Sequence, residues 1–230
     1  LRIFHRTEYA FNPPVVLRNH HVMVRPRGGH DIRIESSRLL VDPPACTKWY
    51  RDLHGNSVGR LTFGPESAGT LVVESEVLVT NYEVEPYDFL IDEDAVRFPF
   101  AFDPQVRIGL GPYQQPCFPN DSSEIRPWIA NFWKPGDTIE TWVLLSRMNE
   151  ALARDFAYRM REEPGVQPPA VTLKSGSGSC RDLANLFIES CRYLGLGARF
   201  VSGYLFNPDS SQHGSTHAWS EVFLPGAGWK

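Results

Sequence analysis

The chain has 230 residues, 42% of them hydrophobic and 22% charged, with a net charge of −4. That composition supplies one large or two small cores, and no long run of lysine or arginine marks a nucleic-acid or anionic-membrane partner. No 18-residue apolar run reads as a membrane span, and no signal-peptide pattern opens the chain.

Residues 1–85 read as short alternating strands at 6–11, 21–25, 33–40, 57–63 and 69–81, punctuated by Pro-Pro, Gly-Gly and His-Gly-Asn turn signals. This spacing predicts a small antiparallel sandwich. Residues 86–121 are rich in proline and read as irregular. Their aromatics, among them Phe89, Phe98, Phe100 and Phe102, predict a connector packed against a core.

Helical signals begin at Ser122, with Ile125, Trp128, Ile129 and Phe132 on one face. A second helix is predicted from Asp137, with Glu140 three residues later as a capping box, running to about Met160. The expected organisation is a β-rich domain at 1–85, a packed connector at 86–121 and a core at 122–230.

Chemistry concentrates at two places. Ser175-Gly176-Ser177-Gly178-Ser179 leads into Cys180, after which Leu183, Leu186, Phe187, Cys191 and Leu194 recur at helical spacing until Gly195 and Gly197 stop the helix. Cys180 therefore lies at the start of a helix. Unpaired backbone N–H groups and the helix dipole there favour a thiolate. Asp182 reads as a capping or dipole partner, since it points to a different side of the helix.

The second place is a hairpin. Residues 198–206 form one arm, 207–215 a polar loop, and 216–224 the returning arm, closed by Pro225-Gly226-Ala227-Gly228. On the returning arm His217, Trp219, Glu221 and Phe223 share a face. A cysteine at a helix start and a histidine on a neighbouring strand suit a thiolate–imidazolium pair.

These blocks carry a resemblance. Gly178-Ser179-Cys180-Arg181-Asp182-Leu183-Ala184, the stretch from Leu194 to Tyr204, and His217-Ala218-Trp219-Ser220-Glu221-Val222 through Gly228-Trp229 resemble the core of the bacterial transglutaminase-like proteins, a distantly papain-like superfamily. His5 to Phe11 and Asp52 to Asn56 resemble the family's β-rich N-terminal region. The resemblance implies an α+β fold: an antiparallel β-sandwich, then a papain-like core with the catalytic helix packed on an antiparallel sheet. It implies that Cys180 is the nucleophile and His217 the base. It puts the orienting aspartate just after the Gly-Trp matching Gly228-Trp229, so the core reads as truncated at its C-terminal end.

The remaining candidates are weaker. Cys46, Cys117 and Cys191 read as small hydrophobes. The four scattered cysteines form no disulfide framework, which points to a reducing cytoplasm. His213 and His217 span a loop and a strand, so no metal is expected, nor any other cofactor. Glu221 is the in-chain stand-in for the triad acid, although a salt-bridged strand residue is the simpler reading. The oxyanion hole takes the Cys180 N–H as one donor. Gln167 and Trp142 both qualify for the second. The expected activity is cleavage or transfer of a peptide or glutamine-type amide through a Cys180 thioester, with hydrolysis favoured. The alternative is an inactive scaffold or peptide-binding module.

Overall fold

The computed structural model describes residues 1–82, 85–205 and 216–230, and the chain divides into two units, Leu1–Tyr87 and Asp88–Lys230. The first unit holds β1 (Arg2–Val16), β2 (His20–Arg25), β3 (Ile32–Asp42), β4 (Cys46–Arg51), β5 (Ser57–Thr62) and β6 (Ser67–Asn81). They form two antiparallel sheets, ordered β1-β6-β3 and β2-β5-β4. Period-2 alternation explains the layering. On β6, Leu71, Val73, Val77 and Val79 are buried, whereas Glu74 and Glu76 point outward to Arg6 and Arg2, each at 2.6 Å. Leu17 and Leu61 meet Leu71 and Val73 between the sheets.

Two departures from the expected strands have simple causes. β1 continues through Pro13-Pro14 because it is an edge strand pairing only with β6, where proline's missing N–H is tolerated; the register breaks between Ala10 and Val15. β4 was not anticipated. Its residues, Cys-Thr-Lys-Trp-Tyr-Arg, lack the apolar alternation of a half-buried strand, and it lies at a sheet edge.

The second unit contains β7 (Arg97–Phe98), α1 (Pro104–Gln114), α2 (Ser122–Ile129), β8 (Ile139–Glu140), α3 (Thr141–Asp155), β9 (Ala157–Tyr158) and α4 (Pro169–Ser175). It continues with β10 (Ser177–Gly178), α5 (Cys180–Tyr193), β11 (Ala198–Tyr204), β12 (Thr216–Leu224) and β13 (Gly228–Trp229). The stretch read as irregular contains a helix: Asp103 caps α1, taking the Gln105 N–H at 2.8 Å, and Pro104 opens it. Gly109, Gly111 and Pro112 inside that helix hid it from propensity reasoning.

The capping box expected at Asp137 and Glu140 does not form. Asp137 instead accepts the Lys134 N–H at 3.0 Å, and Ile139–Glu140 pairs with β7. The helix starts at Thr141 and ends at Asp155, not near Met160, because Ala157–Tyr158 pairs in parallel with Ser177–Gly178. The core is α5 against the three-stranded sheet β11-β12-β13: Leu186, Ile188, Cys191, Leu196, Ala198, Val222 and Leu224 cluster with Phe98, Leu144 and Met148 of the preceding segments. Each large side chain buried there contributes roughly 1.5–3 kcal/mol.

Candidate active site

The start of α5 is held from several directions. Ser179 immediately precedes the helix, and Asp182, fully buried in its first turn, reaches back to it. Asp182 Oδ2 accepts the Ser179 N–H at 2.9 Å and its hydroxyl at 2.7 Å. Oδ1 accepts the Gln167 N–H and Arg161 Nη1, each at 2.7 Å. Burial pushes this carboxyl up, but the amides of Gln167 and Ser179, the Ser179 hydroxyl and Arg161 outweigh it and hold it below the usual carboxylate value. Asp182 is thus a cap, as its position in the first turn suggested, and it fixes the backbone on which Cys180 sits.

Upstream, α4 ends at Gly176, whose φ of 60° is the left-handed conformation a helix end favours. The chain then makes the short parallel pairing of β10 with β9, in which the Ala157 N–H meets Gly176 O at 2.8 Å and the Arg159 N–H meets Gly178 O at 2.9 Å. Gly178 needs its missing side chain: a Cβ there would sit 2.8 Å from Asp182 Cβ.

This pairing brings Tyr158 to the nucleophile position. Its hydroxyl stands beside the thiol and the backbone N–H of Cys180, and partial burial together with that thiol raises its pKa above the ordinary phenol value. Sequence reasoning missed Tyr158 because the α3 helix was extended through it. The available signal was the Phe156-Ala157-Tyr158 run, which suits a strand and breaks the helical period.

His217 is brought to the same level from the far end of α5. α5 ends at Tyr193, β11 runs back, and β12 returns parallel to α5. The Leu196 N–H donates to Cys191 O and the Phe223 N–H to Gly197 O, each at 2.9 Å, so the C-terminal ends of α5 and β12 lie together. From Cys191 back to Cys180 along the helix, and from Val222 back to His217 along the strand, the rise is about 16 Å in each case. His217 is therefore level with Cys180 along the helix axis.

Register sets its face. Ala218, Val222 and Leu224 are buried on the α5 side, so His217 lies on the opposite face with Trp219, Glu221 and Phe223. Gly203 pairs with His217, and the Trp219 ring covers Gly203 so closely that a Cβ there would sit 2.8 Å from it. Among the described residues no hydrogen bond joins His217 to Cys180. The sequence reading packed the helix start directly against this strand; in the structure the two are level, and Tyr158 is the group beside the thiol.

The other candidates fall as follows. Glu221 is held by Arg199 at 2.6 Å, and that guanidinium stacks over Trp229 at 4.2 Å. Gln167 braces the helix start: its Nε2 donates to Ser177 O at 3.2 Å and Thr172 Oγ1 at 3.4 Å, and its carbonyl accepts Asn185 Nδ2 at 3.0 Å. Its amide protons are therefore already spent. Trp142 stands in the first turn of α3, about 20 Å along the helix from the end that leads into β9. It packs on Phe89, 5.1 Å between ring centres, which in turn lies under the Lys230 ammonium. That is the end of the unit away from Cys180. His213 lies outside the described residues, and among the described ones no group of His, Cys, Asp or Glu is arranged to hold a metal ion.

Residues 138–230 match the transglutaminase-like superfamily core, and residues 1–80 match the bacterial transglutaminase-like N-terminal region. An uncharacterized protein of Mycobacterium bovis is 27% identical over 239 residues, spanning 97% of this chain and 73% of the relative. An uncharacterized protein of Mycobacterium tuberculosis matches to the same extent. Among solved structures, a candidate cysteine protease from Cytophaga hutchinsonii shares the fold, with a TM-score of 0.75 at 19% identity, covering 99% of this chain and 73% of that one.

Proposed function

Because this chain belongs to the transglutaminase-like superfamily, we propose that it cleaves or transfers an amide acyl group through a thioester on Cys180. The observation that carries this reading is the setting of Cys180: first residue of α5, behind a buried cap, with the Tyr158 hydroxyl close to its sulfur and its N–H.

The Cys180 thiolate attacks the carbonyl carbon of a peptide or glutamine-type amide. The oxygen that becomes negative accepts hydrogen bonds from the Cys180 N–H and the Tyr158 hydroxyl, which turns from the sulfur to the substrate. Collapse of this intermediate breaks the C–N bond, and His217 gives its proton to the leaving amine. Water, losing its proton to His217, then splits the thioester and returns the thiol. An amine in place of water would give transamidation; hydrolysis is favoured because water is always at hand. His217 stands level with Cys180 along the helix axis, and catalytic hydrogen bonds commonly tighten only when substrate binds.

The register of β13 supports a place for the orienting acid. Lys230 exchanges backbone hydrogen bonds with Val222 at 2.6 and 3.0 Å, antiparallel to β12. A strand continuing in that register would face His217 about five residues further on.

The Tyr158 contact also favours a second reading, a scaffold that binds peptides and performs no chemistry, because the hydroxyl occupies the spot a carbonyl oxygen needs. Turnover of a glutamine-containing peptide, with Cys180→Ala as the blank, separates the two: amide cleavage that vanishes in the blank supports the enzyme, and equal rates support the scaffold.

A further inference from the structure

We propose that the N-terminal unit carries a docking groove for an acidic, extended polypeptide segment, built on a row of arginines at the open end between its two sheets. A groove of about 580 Å³ is lined there by Arg25, Ser57 and Arg51 from one sheet, and by Ile32, Arg33 and Ile34 from the other.

Strand register builds the row. Ser57 on β5 is the cross-strand partner of Arg25 on β2 and also of Arg51 on β4. The three side chains therefore leave one face of the sheet side by side, with the two arginines about 10 Å apart. Two residues along β5, Gly59 pairs with Val22, and beyond it Leu61 is in the core, so this is the inward face of the sheet at its open end. The Arg25 and Arg51 guanidinium groups at the mouth of an apolar interior repel one another, and no Asp or Glu is among the described residues lining the groove.

Little in the structure neutralises them. The Arg25 guanidinium has no hydrogen-bond or ion-pair partner among the described residues. Arg51 Nη1 donates to Gly55 O, at 2.8 Å, and pairs with no carboxylate among the described residues. Arg33 lies 3.5 Å from Glu35, a long and exposed pairing. Planar guanidinium forks take carboxylates with two parallel hydrogen bonds. A separation of about 10 Å is too wide for one carboxylate to bridge, so the row suits two acidic side chains on one chain, with Ser57 donating between them. The aliphatic walls, Pro26, Ile32 and Ile34, suit the apolar stems and backbone between such side chains.

The probe is a fluorescein-labelled hexaglutamate peptide added to the full 230-residue protein, read by anisotropy at about 50 and 300 mM salt. The expected result is saturable binding that weakens with salt. Arg25→Gln and Arg51→Gln should each weaken it about tenfold, whereas Arg60→Gln, on the outward face of the same β5 strand, should leave it within about twofold. Circular dichroism establishes that each variant is folded. The inference is overturned by no binding at low salt, or by equal weakening in Arg60→Gln, which would make the attraction a diffuse charge effect. Competition by millimolar inorganic phosphate as effective as free hexaglutamate would also overturn it, since the site would then be a simple anion site. None of these outcomes depends on Cys180.

Discussion

The Tyr158 hydroxyl stands close to Cys180, beside both its thiol and its backbone N–H. Under the proposed thioester mechanism, this side chain at the end of a two-residue strand is a donor to the developing negative oxygen of the attacked amide. Tyr158→Phe removes the O–H and little else. Turnover of a peptide amide should fall roughly 10- to 100-fold, mainly in kcat, because one of two oxyanion donors is lost. Alkylation by iodoacetamide, which creates no oxyanion, should stay within about threefold. Unchanged turnover would remove Tyr158 from the site, and faster turnover would make it a block on the carbonyl's place.

Thiol reactivity gives the second prediction. Cys191 is fully buried, and burial pushes its thiol far up. Cys46 is exposed with no helix start beneath it, and Cys117 is exposed beside Arg192 Nη1 at 3.0 Å. Cys180 lies at the first residue of α5, so peptide mapping after brief iodoacetamide treatment near neutral pH should find it labelled first. Faster labelling of Cys117 would show that a neighbouring guanidinium outweighs the helix start, and would count against Cys180 as nucleophile.

Asp182 predicts an acid dependence of stability. Its folded pKa lies below the ordinary carboxylate value, so folding favours the ionised form. The stabilisation is fully present above about pH 4, the unfolded value, and is lost as pH falls through the lower folded value. Asp182→Asn strips four hydrogen bonds of their charge and leaves the Arg161 guanidinium without its anion. Near neutral pH the loss should be about 3 kcal/mol, or on the order of 10 °C in the unfolding midpoint. The melting curve of the variant should also fall less steeply between about pH 5 and 3 than that of the parent. Parallel curves would mean that another carboxylate carries the acid sensitivity.

Packing at the helix entry is tested by Gly178→Ala. The new Cβ would lie 2.8 Å from Asp182 Cβ and 3.4 Å from Gln167 Nε2, and neither neighbour is free to move, since both are tied to the start of α5. A destabilisation of about 1–3 kcal/mol is expected by calorimetry. A melting point equal to the parent's would show that this entry is softer than its hydrogen bonds suggest.

What the sequence revealed follows from how local each signal is. The α5 helix and the β11–β12 hairpin were legible because apolar residues recur at period 3.6 and then 2, closed by Gly195 and by Pro225-Gly226. Asp182 was legible as a cap from its place in the first turn. Tyr158, β9 and β10 were not, since two-residue strands carry no period and their pairing joins Ala157–Tyr158 to Ser177–Gly178 through a separate helix. The positions of Gln167 and Trp142 were equally hidden. Whether an amide side chain faces a substrate or Ser177 O depends on a fold around it, and no spacing along the chain encodes that. α1 was lost because Gly109, Gly111 and Pro112 disguise a helix that its Asp103-Pro104 start announces.

The central claim is that Cys180 carries the acyl group. Intact-mass analysis after rapid acid quench with an activated acyl ester, such as a p-nitrophenyl ester of a short peptide, tests it most directly. The account predicts one acyl adduct, mapped to Cys180 and absent in Cys180→Ala, that persists longer in His217→Ala because deacylation lacks its base. An adduct on another residue, or equal acylation of Cys180→Ala, would contradict it.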